Sequence, residues 1–283
     1  MKPALPGSSA GPVPFAARDD GILEAILRRD RLVVAGALAT IVGLSWAYVV
    51  LLAADMDMGG MDMGGLRMVP AGLGLMAPAS SPWSAIEFAF VLAMWAVMMV
   101  GMMAPAAAPM ILVYARVVRQ GRIAGRPLAA TGWFATGYFL AWIAFSLAAT
   151  IVQWALERQA LLDPGMASAS HALATVVLVA AGLYQWTPLK DRCLAQCRTP
   201  FGFLMLHGGF RGDVRGCVRL GWRHGAYCVG CCWALMALLF VVGVMNVLWI
   251  ALLALLVLLE KLTPWGRWIA RAAGLACIAA ALV

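Results

Sequence analysis

Cys228-Val-Gly-Cys-Cys-Trp-Ala-Leu-Met236, continuing through Gly243-Val-Met-Asn246 to Glu260-Lys261, is the stretch whose reading decides the fold class. No charged side chain occurs from Ala226 to Leu259, a run of 34 residues. As a single helix it would be roughly 50 Å long at 1.5 Å per residue, far more than the ~30 Å hydrocarbon core of a bilayer requires. The better reading is two short crossings that reverse near Gly243–Asn246, where a glycine and an amide interrupt the aliphatic run. In the first of them Cys228, Cys231 and Cys232 stand at i, i+3 and i+4, on one helical face. His224 lies four residues before Cys228 and Met236 four after Cys232, so both extend that stripe. Soft sulfur donors gathered on one face suit a soft ion such as Cu(I).

Composition carries the same message through the rest of the chain. Of 283 residues, 64% are hydrophobic and 12% charged, which predicts an all-α, polytopic membrane protein with the lipid bilayer as its first partner. The 21 Lys and Arg outnumber the 13 Asp and Glu, and in such a protein the excess holds cytoplasmic loops in place. Nothing resembles a nucleic-acid reader. Most of the seven cysteines lie beside Arg-rich segments, on the side of the membrane where thiols stay reduced. There is no nucleophile–base–acid constellation, phosphate-binding glycine loop or haem-attachment motif, so the chain is not expected to be an enzyme.

Residues 1–31, with Pro3, Pro6, Pro12 and Pro14, read as a disordered cytoplasmic tail, and 32–54 as the first transmembrane helix. An external Met/Asp-rich and Gly/Pro loop occupies 55–82, and 83–283 form a helical membrane domain. Within it, Trp83–Tyr114 is expected to kink or break at Pro105 and Pro109. Trp133–Leu156 and His171–Pro188 are the next crossings, the pair in 226–259 follows, and about Trp268–Val283 comes last. The arginines of 116–128 and of the 189–225 loop place both segments, and the N-terminus, in the cytoplasm. That alternation suits seven crossings of a bacterial inner membrane, or six if the last segment lies at the interface.

Several sulfur groups compete for attention, each with a plain packing alternative. Cys193 and Cys197, four apart, enter the membrane at the level of the Cys228 cluster, and together they could make a pocket of up to five thiols. Cysteine is also a small inert hydrophobe, the reading adopted for Cys277 and for Cys217, placed in a loop. Zinc is the formal rival for thiolates, whereas methionines tilt the choice to copper. Met94, Met98 and Met102 recur every fourth residue with Met99 and Met103 beside them, and Glu87 continues that face outward. The tract Met56, Met58, Met61 and Met63 alternates with aspartates, either an external copper-holding segment or a biased linker. Glu260-Lys261 reads as the interfacial end of a helix rather than an internal ion pair.

Taken together these motifs resemble the bacterial family of predicted metal-binding integral membrane proteins. Glu87-Phe, Met94-Trp, Met98-Met99 and Met102-Met103-x-Pro105 are similar to its first signature. Tyr184-Gln-Trp-Thr-Pro-Leu-Lys190 with Cys193-x-x-x-Cys197-Arg is similar to its second, and Gly225-x-Tyr-Cys228-x-Gly-Cys231-Cys232-Trp-Ala-Leu-Met236 to its third. Gly243-x-Met245-Asn246 and Glu260-Lys261-Leu complete a likeness covering about Ser84–Leu262. A member of that family is associated with copper delivery to a bacterial polyphenol oxidase of tyrosinase type, so the resemblance implies a membrane copper chaperone serving a copper-dependent oxidase or its assembly factors. Two other functions stay open: a membrane thiol–disulfide oxidoreductase using Cys228/Cys231, and an assembly factor whose cysteines only pack.

Overall fold

The computed structural model describes residues 19–57, 66–70, 76–78, 81–120, 127–163, 166–207 and 213–282. Helices dominate them. α1 (Asp19–Asp57) is followed by a small antiparallel pair, β1 (Leu66–Met68) and β2 (Met76–Pro78), and then by the long α2 (Ala85–Gln120) and α3 (Pro127–Arg158). Next come α4 (His171–Tyr184), α5 (Pro188–Arg198) and α6 (Pro200–Leu206), then α7 (Val214–Ala237), the single turn α8 (Leu239–Val242), α9 (Val247–Leu262) and α10 (Gly266–Ala280). α1 therefore takes in part of the stretch expected to be tail. Met56 falls in its last turn, while Met58, Met61 and Met63 lie outside the described residues.

Among the described residues, four helical stretches are long and apolar enough to cross a bilayer: Leu32–Asp55, Ala85–Gln120, Pro127–Arg158 and Val214–Val242. A fifth arises if α4 and α5, bent by 63° at their junction, count as one span. α9 and α10 have 16 and 15 residues, fewer than the ~17–25 of an ordinary crossing. Leu44, Leu51, Leu147, Ile151, Leu252 and Leu255 point outward and are exposed, a surface suited to lipid.

Local signals explain where the helices begin and end. Ser84 and Glu87 cap α2 reciprocally: Ser84 N donates to Glu87 Oε2 at 2.5 Å, and Glu87 N donates to Ser84 Oγ at 3.2 Å. Thr187 caps α5 with Pro188 at its first position. Asn246 caps α9, its Oδ1 accepting from Trp249 N at 3.3 Å. The break expected near Gly243–Asn246 is present, and Gly243 adopts φ 97°, a conformation open to glycine at little cost.

Two expectations need correction. Pro105 and Pro109 do not end α2, which continues to Gln120. The prolines remove backbone bonds to the carbonyls of Gly101 and Pro105, but packing against α1 and α3 on either side carries the helix through. Nor is 189–225 a loop, since α5, α6 and the first half of α7 fill most of it. Its arginines at 215, 219 and 223 recur at the helical interval, and prolines 188 and 200 are helix-starting ones.

The core is a row of helices. α7 packs on α3, α3 on α2 and α2 on α1, while α5 lies against α7 and α10 against α4. The α3–α7 approach is close because Gly225 has no side chain. A Cβ there would stand 2.6 Å from Ala141 Cβ and 2.8 Å from the Tyr138 carbonyl. Small residues of this kind bring membrane helices together.

Candidate metal centre

The close α3–α7 seam sets Tyr138 over Cys228 of α7. Its hydroxyl lies 3.0 Å from Cys228 Sγ and 3.2 Å from the Met103 carbonyl. From α9, Lys261 Nζ donates to the same sulfur at 2.8 Å. Cys231 and Cys232 share the buried face of α7, and each thiol donates to the Cys228 carbonyl at 3.0 Å. Cys232 Sγ stands 4.0 Å from Met103 Sδ, so the thiols of α7 touch the methionine face of α2. Met94, Met98, Met99, Met102 and Met103 are all buried there, as is Met236 on α7.

The bend between α4 and α5 turns the second cysteine pair onto α7. The Cys197 thiol faces those of Cys228 and Cys231. Cys193 packs its sulfur against Gly230, 2.9 Å from where a Cβ would stand, and the Gly230 carbonyl accepts from the Tyr184 hydroxyl. The sulfurs are gathered but not arrayed: among the described residues no three or more His, Cys, Asp or Glu side chains are arranged to hold a metal ion. The donors are neighbours whose side chains would have to rotate to share one.

The other expected site residues are scattered. His224 is buried one turn from Cys228 between the rings of Tyr138 and Phe203, at centroid distances of 5.7 and 5.1 Å. Among the described residues its Nδ1 has no hydrogen-bond partner. Glu87 sits in the capping box of α2, its carboxylate engaged by the Ser84 amide. Cys217 is not in a loop but buried in α7, accepting from the Tyr114 hydroxyl at 3.2 Å.

Glu260-Lys261 closes α9 but does not face solvent there: both side chains are buried, and the internal ion pair set aside in the sequence reading is present. Glu260 Oε2 pairs with Lys190 Nζ at 2.7 Å, and that ammonium also donates to Gln185 Oε1. Two adjacent residues of α9 thus serve different partners, one in α5 and one in α7. Sequence reasoning read Lys261 only as part of a helix end, quoted Lys190 only within a motif, and passed over Tyr138. A signal was available, because the ionisable pair Glu260-Lys261 directly follows a 34-residue uncharged run, and ionisable residues in such a setting are functional candidates by default. For Tyr138 there was none, since its role comes from helix packing.

No curated protein and no solved structure matches the chain. The profile of one family does, over residues 92–283, a stretch that holds every cysteine and the whole methionine face of α2. It covers well over half of the sequence, and on that ground the chain belongs to the PpoB2 family of copper chaperones.

Proposed function

We propose that this protein is a membrane-embedded copper(I)-binding protein that takes copper onto its cysteines and passes it to copper enzymes maturing at or beyond the membrane. Copper is its cargo, not a resident cofactor. The observation that carries the reading is the 4.0 Å contact between Cys232 Sγ and Met103 Sδ, which brings a thiol of α7 against a thioether of the methionine face of α2. At that contact an ion can pass from thiol to thioether without being released as a free ion. Cys193, Cys197, Cys228, Cys231 and Cys232 are the receiving donors, flanked by Met236 and His224. Met94, Met98, Met99, Met102 and Met103 are the relay, Glu87 marks its outer end, and Met56, Met58, Met61 and Met63 serve on the outside.

The donor set fits Cu(I) better than zinc, because thioethers have little affinity for zinc. Lys261 adds a further element. One Cu(I) between two thiolates carries a net negative charge, and an apolar setting penalises an unbalanced charge. The ammonium of Lys261, 2.8 Å from Cys228 Sγ, offsets it. The topology that accompanies this reading has seven crossings of a bacterial inner membrane, with the N-terminus and the arginine-bearing end of α7 in the cytoplasm.

Metal analysis of the full chain, purified anaerobically and loaded with copper(I), should give stoichiometric copper. Cys228→Ser with Cys232→Ser should abolish binding while leaving the helices intact, because the change is nearly isosteric and an alcohol cannot replace a thiolate for this ion. Reversible Cys228–Cys231 disulfide formation without metal binding would instead favour the thiol oxidoreductase, and neither property would leave the cysteines to packing.

A further inference from the structure

Where α10 packs on α4 the two helices run antiparallel and nearly touch. A Cβ on Gly182 would stand 2.6 Å from Ile278 Cγ1, and one on Gly274 2.8 Å from Gln185 Cβ. The same approach brings Trp186, at the break between α4 and α5, over the start of α10. There the Arg271 guanidinium lies 5.6 Å from the centre of the Trp186 ring and 5.5 Å from that of Trp268. Both are cation–π distances, so two indoles from separate elements hold one cation. Among the described residues the Arg271 side chain has no hydrogen bond or ion pair. Rings engage the face of a guanidinium and leave its N–H donors, which lie in the plane of the group, for an anion.

The surroundings say which anion. α10 carries Arg267 and Arg271 and no acidic residue, and Asp191 on α5 answers Arg267 at 4.0 Å. The charge of Arg271 is thus left unbalanced among the described residues. Further along the two helices the surface is apolar. Leu275, one turn beyond Arg271, and Leu183 and Val176, three and ten residues before Trp186, are all exposed. Those spacings keep them on the helical faces that carry Arg271 and Trp186. Trp265 and Trp268 are exposed as well, and indoles in that position mark a membrane–water boundary. A fixed cation above an apolar helix–helix seam matches a phosphodiester above its acyl chains. Arg215 and Arg219 of α7 are exposed but have no ring over them among the described residues, so Arg271 is set apart from a general basic band.

We propose that Arg271, clamped between Trp186 and Trp268, binds the headgroup phosphate of an anionic phospholipid whose acyl chains lie along the α4–α10 seam. The site lies outside the thiol groups and does not depend on the copper reading. A net negative lipid is the occupant because a zwitterionic one would leave the charge of Arg271 uncompensated. The two indoles belong to different elements, so a headgroup seated on them also braces α10 against the joint at which α5 leaves α4.

The test places the full chain in nanodiscs of equal parts phosphatidylcholine and phosphatidylglycerol and reads the lipid retained on release by native mass spectrometry. The parent should keep phosphatidylglycerol in preference to phosphatidylcholine. Arg271→Gln should lower the bound-to-free ratio ~10-fold or more, as loss of charge-assisted hydrogen bonds to a phosphate implies. Arg271→Lys, which keeps the charge but not the planar group, should fall between the two. Trp186→Leu with Trp268→Leu should lower the ratio with every charge still in place, and Arg215→Gln with Arg219→Gln should leave it unchanged. An unchanged ratio in Arg271→Gln, an equal fall in the α7 variant, or equal retention of both lipids by the parent overturns the site. Displacement of the retained lipid by inorganic phosphate alone overturns it too, since the occupant is then a soluble anion. Should Arg271→Gln lose helicity by circular dichroism, the paired indole variant decides, and an unchanged ratio there overturns the site.

Discussion

Lys261→Gln keeps an unbranched, sulfur-free chain at a position only 6% exposed and removes the ammonium that lies 2.8 Å from Cys228 Sγ. A copper ion shared by Cys228 and a second thiolate would place its net negative charge about 4 Å from that ammonium. At an effective dielectric constant of about 20, such a pair is worth about 4 kcal/mol. Each 1.4 kcal/mol is tenfold in affinity, so the upper bound is roughly a thousandfold weaker binding. Water admitted at the vacated position recovers part of this, and the expected loss is ~100-fold to ~1,000-fold. Competition against a chromophoric copper(I) chelator, anaerobically and in detergent, measures it directly. Lys261→Arg, which retains the charge, should recover much of the affinity. If Lys261→Gln binds copper(I) within about threefold of the parent, with unchanged thermal unfolding, Lys261 is not the counter-charge and the electrostatic argument is wrong.

Three other outcomes follow from the same geometry. Lys190→Met should destabilise the fold by about 3–5 kcal/mol by leaving Glu260 buried without its cation, and adding Glu260→Gln should restore most of it; additive losses in thermal unfolding would show that the two side chains do not act as a pair. Alanine at Met98 and Met102 should leave binding at the thiols unchanged but lower the copper content of a dependent oxidase, with excess external copper restoring it. A full complement of copper in that oxidase at low external copper would remove the relay. Finally, a cysteine at Gln120, beside the arginines at the end of α2, should resist a membrane-impermeant thiol reagent in intact cells, whereas one at Gln159, beyond the end of α3, should react; the reverse pattern would invert the orientation.

How far the sequence could be read depended on whether a feature was local. The i, i+3, i+4 spacing of Cys228, Cys231 and Cys232 is a helical property, and the three share the buried face of α7. Asn246 and Gly243 announced the break before α9 because a cap and a left-handed residue are local as well. Arginines at a four-residue interval carried the same helical signal, but their charge suggested a loop, and α7 begins a dozen residues before its apolar run. Features that depend on packing were out of reach. Nothing along the chain tells that Glu260 turns to Lys190 while its neighbour turns to Cys228. Nor does it tell that Gly225 admits Tyr138 to the thiols by letting two backbones meet. The capping role of Glu87 was legible as Ser-x-x-Glu, although its place above a methionine stripe drew the eye elsewhere.

The break between α4 and α5 has a mechanical consequence. Because the helix is interrupted at Gln185–Thr187, α5 is not the rigid continuation of a membrane rod but a short bar carrying Cys193 and Cys197. Its two ends are riveted to the end of α9, by Lys190 to Glu260 at 2.7 Å and by Arg198 to the Thr263 carbonyl at 2.6 Å. Lys261, which holds Cys228, sits between those rivets on the same stretch of backbone. A tilt of the α9 terminus would therefore swing the bar and tug on Cys228 in one stroke, so the spacing between the two thiol groups is geared to a hinge that contains no sulfur.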